Sequence, residues 1–172
     1  MIELAMDEYE KRLIYLFEGD FDKDNTLDLV DFLNNNTRPI DLFISSPGGY
    51  TGYIHVLKRA IEEYDDIVIY PIVECYSSAL ILLLNTEVPI SFLDKGIVSI
   101  AHFPRIDSIT DANRNNIYDK SYFKSKRHLT DFYYLLKEMP LPTQQKKKLL
   151  KGEDVELTYS DLITIFKDRL YV

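Results

Sequence analysis

Short apolar runs of strand type alternate with amphipathic helical segments in the first half of this 172-residue chain. Leu13 to Phe17, Asp41 to Ser45 and Ile67 to Val73 have the apolar, partly β-branched composition of buried strands. Between them, Asp24 to Leu33 and Tyr53 to Ile61 carry apolar residues at helical spacing. Strands that alternate with helices predict an α/β fold built on right-handed crossovers.

The later part of the chain predicts further elements of both kinds. Ser78 to Leu84 begins an apolar helix, and Ile90 to Leu93 and Ile97 to Ala101 are strand candidates. Ile117 to Met139 has the pattern of one long helix, which in a small domain often packs against a partner. The remaining predictions are a polar loop over 107–116, a helix from Thr143 to Lys151 that stops at Gly152, and a capping box from Thr158 to Asp161 that opens the last helix.

Composition and charge narrow the class of protein. A hydrophobic fraction of 46% suits one globular domain with a sizeable core, and a net charge of −8 argues against a general nucleic-acid binder. The longest apolar run, Ala79 to Leu84, is too short to span a membrane. Met1 to Glu10 does not resemble a secretory signal, and Cys75 has no second cysteine to pair with, so we expect a cytoplasmic protein. His55 and His128 lack partners at metal-ligand spacing, so we expect no metal and no cofactor.

Four groups suited to acyl transfer occur in order along the chain. Pro47-Gly48-Gly49 is a glycine turn, and Ser78, His102 and Asp154 supply a hydroxyl, an imidazole and a carboxylate. A serine hydroxyl needs a base to take its proton, and the base needs a partner that holds it in one tautomer. The glycine turn and the serine turn both follow predicted strands, where ligand sites of α/β sheets lie. Each part alone also suits an ordinary turn, a helix N-cap or a strand end.

Together these segments resemble the family of the Clp protease proteolytic subunit (ClpP) and the wider ClpP/crotonase fold. The spacing from Gly49 to Ser78 matches the family without a gap, which is more telling than any one motif. The matching segments are Arg12 to Leu16, like R-I-I-F-L; Ile44 to Gly49, like I-N-S-P-G-G; Ser77 to Ala79 with Leu83-Leu84, like A-S-M followed by L-L; Ile100 to Pro104, like M-I-H-Q-P; and Asp154 to Thr158, like D-x-F-M-S.

The resemblance implies one domain of repeated β-β-α units, with a head at about 1–106 and 152–172 and a projecting handle helix within about 107–151. It implies an ATP-dependent serine endopeptidase that hydrolyses peptide bonds of unfolded proteins inside stacked heptameric rings, a tetradecamer. A Clp ATPase or a host ClpP would be its partner. The implied roles are nucleophile, general base and orienting acid for Ser78, His102 and Asp154, an oxyanion hole from the backbone N–H groups of Gly49 and Ala79, and a peptide-binding edge at Gly48, Tyr50 and Thr51.

Several residues depart from the family pattern. Glu74, Tyr76 and Leu80 occupy positions that are normally small, and a bulky Tyr76 would narrow the S1 region or block it. Ser77 beside Ser78 leaves the nucleophile ambiguous, although the register of Leu83-Leu84 favours Ser78.

Other departures concern assembly and leave a second class of function open. Gly152-Glu153 stands where the family has an acid–arginine pair between rings, and only Met1 to Lys11 precedes the first strand. This divergence suggests a phage-borne or accessory paralogue. A catalytically inactive ring subunit that modulates or caps a host Clp protease therefore stays open, as does a crotonase-type acyl-CoA enzyme.

Overall fold

A computed structural model describes residues 12–93, 95–102 and 134–171 of the chain. It confirms the predicted α/β class, because helices combine with one parallel and one antiparallel sheet. Across the described residues no helix is both long and apolar enough to cross a lipid bilayer.

In the described ranges, two small sheets carry the strands. The strands β1 (Leu13–Glu18), β2 (Ile40–Ser46) and β3 (Ile67–Cys75) form a parallel sheet in the order β1-β2-β3. The strand β4 (Ser99–Ala101) pairs antiparallel with β5 (Val155–Leu157). A single parallel bridge from Glu74 to Val98 joins the end of β3 to the start of β4, so the two sheets meet where β3 ends.

Helices follow the strands as the apolar spacing predicts. Short 3-10 turns at Thr51–Tyr53 and Lys167–Arg169 precede the second helix and follow the last one. Five α-helices lie entirely within the described ranges, namely α1 (Lys23–Asn34), α2 (Ile54–Glu62), α3 (Ser78–Asn85), α4 (Thr143–Leu150) and α5 (Tyr159–Ile165).

The core lies between the parallel sheet and these helices. Ile40, Leu42 and Ile44 of β2 are fully buried, and they belong to one cluster with Leu29 of α1 and Leu57 of α2. Burial of each such side chain contributes about 1.5–3 kcal/mol. Helix α3 is apolar all round and buried from its first residue through Leu83, as expected of a helix that runs through a core.

A β-bulge lengthens β3 before it reaches the second sheet. Ile44 pairs with Pro71 but Ser46 pairs with Cys75, so three residues of β3 lie opposite one of β2. Val73 sits in this bulge with a φ of 56°, and its side chain is 68% exposed. A left-handed conformation is an outlier for a β-branched residue, so the bulge holds Val73 under strain.

The ends of the last two helices match the sequence prediction. Gly152 follows α4 with a φ of 82°, and the Glu153 N–H donates to Lys148 O at 3.1 Å, as in a Schellman stop. Thr158 and Asp161 form the predicted capping box at α5.

Two predictions on strands were wrong or incomplete. Ile90 to Leu93 is not a strand, because only Ile90 pairs, in single bridges to Ile69 and Leu170. The strand β5 was not predicted. Of the predicted long helix, residues 134–138 are helical and Met139 lies in a bend, so the helix ends one residue earlier than predicted, while residues 117–133 and the predicted loop lie outside the described residues.

Arg169 joins the C-terminal 3-10 turn to the end of α3. Its guanidinium donates to Leu83 O at 2.7 Å, to Val88 O at 3.2 Å and to Thr86 Oγ1 at 3.4 Å. Burial lowers the pKa of Arg169, and the nearby carboxylates of Glu87 and Glu62 oppose that shift. The last carbonyls of a helix lack partners within it, and a cation there is favourable.

Replacing Arg169 with Met is expected to lower the free energy of unfolding by about 2–4 kcal/mol, because buried carbonyls lose charged donors. Urea unfolding followed by circular dichroism measures the change. The exposed Lys167, on the same 3-10 turn, is the matched control, and Lys167→Met should cost below about 0.5 kcal/mol. Equal effects of the two variants would contradict the anchoring role.

Cys75 offers a probe of unfolding beside the serine turn. It is the chain's single cysteine and is buried, and burial, with a smaller contribution from Glu74, raises the pKa of its thiol. Because the thiolate is the reactive form, we expect alkylation at pH 8 to be far slower in the folded protein than for a free thiol, and to accelerate at the urea midpoint. Mass spectrometry of iodoacetamide-treated samples gives the rate, and fast labelling without urea would count against this burial.

Candidate active site

The glycine turn after β2 is held by a buried hydroxyl. Ser46 Oγ accepts from the Gly48 N–H at 3.1 Å and lies 3.3 Å from Gly48 O, to which it donates. Gly48 has a φ of 111° and Gly49 a φ of 137°, a region that residues with side chains rarely adopt. The predicted turn is therefore present, and its backbone requires both glycines.

A bridge to Phe21 sets the direction of the Gly49 backbone groups. Phe21 N–H donates to Gly48 O at 2.6 Å, and Tyr50 N–H donates to Phe21 O at 3.0 Å. Because neighbouring residues of an extended chain direct their polar groups to opposite sides, the N–H and C=O of Gly49 face away from Phe21. Within the described part of the chain nothing accepts from the Gly49 N–H, and its role as an oxyanion donor stays a prediction.

The serine turn between β3 and α3 lies directly against the glycine turn. Tyr76 N–H donates to Ser46 O at 3.0 Å, and Ser77 N–H donates to Ile100 O at 2.9 Å. A Cβ atom added to Gly48 would lie 2.8 Å from Ser77 Cβ. The two turns are thus in contact, as their positions after neighbouring strands predict.

Ser78 and Ala79, the predicted nucleophile and one predicted oxyanion donor, both make hydrogen bonds inside the protein. Ser78 is 0% exposed, and its hydroxyl donates to Gly49 O at 2.7 Å. The Ala79 N–H donates to Tyr76 O at 2.9 Å. The structure thus brings Ser78 to Gly49, while the two catalytic roles stay predictions.

His102 and Asp154 flank the end of the antiparallel ladder. Ala101 pairs with Val155, so the same register carried one residue further sets His102 opposite Asp154. Opposed residues of antiparallel strands have Cα atoms about 4.5–5.5 Å apart. Ser77 N–H bonds to Ile100 O in the middle of β4, so the serine turn contacts this strand two residues before His102.

The extended backbone predicted at Tyr50 and Thr51 is shorter than expected. Tyr50 is extended and 67% exposed, with its ring edge-on to Tyr53 at 5.5 Å between centroids. Thr51 instead begins a 3-10 helix, whose backbone is not extended. The extended stretch therefore ends at Tyr50, because the chain turns at once into α2.

Two buried serines support the site and were missed from the sequence. Ser46 fixes the glycine turn, and the Ser99 hydroxyl donates to Cys75 O, which joins β4 to β3 just before the serine turn. The available signal was a serine within an apolar strand run, because a buried hydroxyl needs a partner.

Comparison with known proteins adds no family assignment. No protein-family model matches the chain, and no curated protein is significantly similar to its sequence. Within the described ranges, no group of three or more His, Cys, Asp or Glu residues is arranged to hold a metal ion. Support for a function therefore comes from the geometry of the two turns and of the β4–β5 register.

Replacing Gly48 with Ala is expected to lower the free energy of unfolding by about 2–4 kcal/mol, because the new methyl group meets Ser77 and the φ of 111° is strained. Gly52 provides the control. Its φ lies outside the left-handed region, and its crowding comes from the exposed Tyr50 ring, which can rotate away. Gly52→Ala should therefore change stability by below about 1 kcal/mol in urea unfolding. Similar losses in both variants would argue against close contact between the turns.

Proposed function

We propose that this chain is a ClpP-like serine endopeptidase subunit, with a ClpP/crotonase-type fold, that hydrolyses peptide bonds of unfolded proteins. One observation carries the proposal, which is that the serine turn contacts both the glycine turn and β4, the strand that His102 follows. The serine turn is bonded to Ile100, and the glycine turn contacts Ser77. The β4–β5 register, continued one residue past the Ala101–Val155 pair, would set His102 opposite Asp154.

The proposed chemistry assigns each group a task. A serine of the β3–α3 turn attacks the peptide carbonyl and passes its proton to His102, which Asp154 orients. The Gly49 N–H stabilises the oxyanion, and such a donor contributes about 2.7–4 kcal/mol to the transition state. His102 then protonates the leaving amine, and water hydrolyses the acyl-enzyme.

Assembly and partners belong to the same proposal. Stacked heptameric rings in the cytoplasm, with a Clp ATPase or a host ClpP as partner, follow from the resemblance in motif order. The departures at Gly152-Glu153 favour an accessory or phage-borne member whose rings contact each other differently.

A second candidate is a catalytically inactive ring subunit that modulates or caps a host Clp protease. It is favoured by the buried Ser78 hydroxyl, which donates to Gly49 O, and by the Ala79 N–H, which is already bonded to Tyr76 O. If Ser78 must be the nucleophile, both groups would need to break these bonds before any reaction.

Hydrolysis of fluorogenic peptides by the assembled protein tests the first candidate. We expect His102→Ala to lower kcat/KM by about 10⁴-fold or more, because the base is lost. His55→Ala, on the exposed surface of α2, is the matched control and should leave the rate unchanged.

The outcomes separate the two candidates. Absence of hydrolysis by the unmodified protein, or an equal rate for His102→Ala, would refute the endopeptidase. Native mass spectrometry of a mixture with a catalytic ClpP then tests the alternative, because an inactive chain that forms mixed rings with it behaves as a modulating subunit.

A further inference from the structure

We infer that Ser77 rather than Ser78 is the nucleophile, and that Ser78 contributes its backbone N–H to the oxyanion hole. The inference rests on the proposed hydrolase function and specifies its reacting atom. Four features of the serine turn distinguish the two neighbours, namely backbone conformation, side-chain bonding, donor availability and the size of flanking residues.

The backbone of Ser77 has the conformation of a nucleophile elbow. Its φ of 53° and ψ of −117° fall in a region that costs a residue with a side chain about 1–3 kcal/mol. Ser77 lies between β3 and α3, and at such a sharp strand-to-helix turn the strained residue presents its hydroxyl away from both elements. Ser78 is already the first residue of α3.

The two hydroxyls differ in what they contact. Ser77 is half-buried, and although it is the N-cap residue, its side chain makes no capping hydrogen bond. Ser78 is fully buried, and its hydroxyl is committed to Gly49 O. A nucleophile must reach both an imidazole and a substrate carbonyl, and the half-buried hydroxyl of Ser77 suits this requirement better than the buried, bonded hydroxyl of Ser78.

The backbone donors also favour Ser77. In an elbow the oxyanion is held by the N–H of the residue after the nucleophile. For Ser77 that donor is the Ser78 N–H, which has no acceptor within the described ranges and shares this property with the Gly49 N–H. For Ser78 the donor would be the Ala79 N–H, which is bonded to Tyr76 O.

Flanking residues fit an elbow centred on Ser77. The residues two positions before and after the nucleophile are small in such turns, because the strand and the helix approach closely there. Around Ser77 these are Cys75 and Ala79, both buried, whereas around Ser78 they would be Tyr76 and Leu80. With Ser77 as the nucleophile, the bulky Tyr76 is its direct neighbour in sequence. With Ser78 as the nucleophile, Tyr76 would occupy one of the two positions that must be small.

With Ser77 as nucleophile, the groups of the site account for every bond and proton in both acylation and deacylation. Ser77 Oγ forms a bond to the carbonyl carbon while its proton moves to His102, and the Ser78 and Gly49 N–H groups hold the oxyanion. Collapse breaks the C–N bond as His102 gives the proton to the leaving amine. Water then attacks the ester, passes a proton to His102, and the acid leaves as Ser77 regains its hydrogen.

A fluorophosphonate probe identifies the nucleophile directly. The unmodified assembled protein and the Ser77→Ala and Ser78→Ala variants are labelled, and the adduct is located by peptide mapping. We expect the adduct on Ser77, no labelling of Ser77→Ala, and a loss of about 10⁴-fold or more in its kcat/KM for peptides. Ser78→Ala keeps its backbone N–H and should still label, with a loss below about tenfold for one missing hydrogen bond.

A second variant separates chemistry from folding. Ser77→Gly removes the hydroxyl but suits the positive φ, so it should unfold at a urea concentration at or above that of the unmodified protein and still be inactive. An adduct on Ser78, or an active Ser77→Gly, would overturn the assignment and leave the peptidase in place. If the unmodified protein shows neither labelling nor hydrolysis, both the assignment and the proposed function are overturned.

Discussion

Two backbone hydrogen bonds determine the geometry of the candidate site. Tyr76 N–H donates to Ser46 O of β2, and Ser77 N–H donates to Ile100 O of β4. Consecutive residues of one turn are therefore bonded to strands of two different sheets. Each bond needs little further ordering of the chain, because its acceptor is already held in place. In β2 the parallel ladder holds it, and in β4 the pairing with β5 holds it. The turn cannot relax to an ordinary helix start without breaking one of them.

Much of the fold could be predicted because its signals are local. The three parallel strands, α1 to α3 and the capping box at Thr158 all follow from apolar spacing or side-chain capping within a few residues. Ile90 failed as the start of a strand because its pairing is a single bridge to each of two neighbours, set by tertiary contacts. β5 is three residues long, too short for alternation to stand out, and exists because β4 lies beside it.

The turns and residue types of the candidate site could be predicted from the sequence, but the choice between Ser77 and Ser78 could not. Glycines after an apolar strand indicate a turn, and their contact with the serine turn follows from parallel strand order. The proposed choice between two adjacent serines depends on a φ of 53° at Ser77, whose N–H is bonded to Ile100 O, far along the chain. The sequence does not indicate such a bond. It does not indicate the positive φ either, because serine itself has little preference for positive φ.

The bulge in β3 has a consequence for how this site tolerates change in chain length. Relative to β2, the strand gains two residues between Pro71 and Cys75. Side chains in a strand alternate with a period of two, so an even gain leaves every later residue on its original face. The present gain of two residues keeps Cys75 paired with Ser46, whereas a single residue inserted or deleted at Val73 would shift this register by one and move the serines relative to the glycines. The bulge therefore fixes the number of residues that β3 can hold between its pairing with Ile44 and its pairing with Ser46.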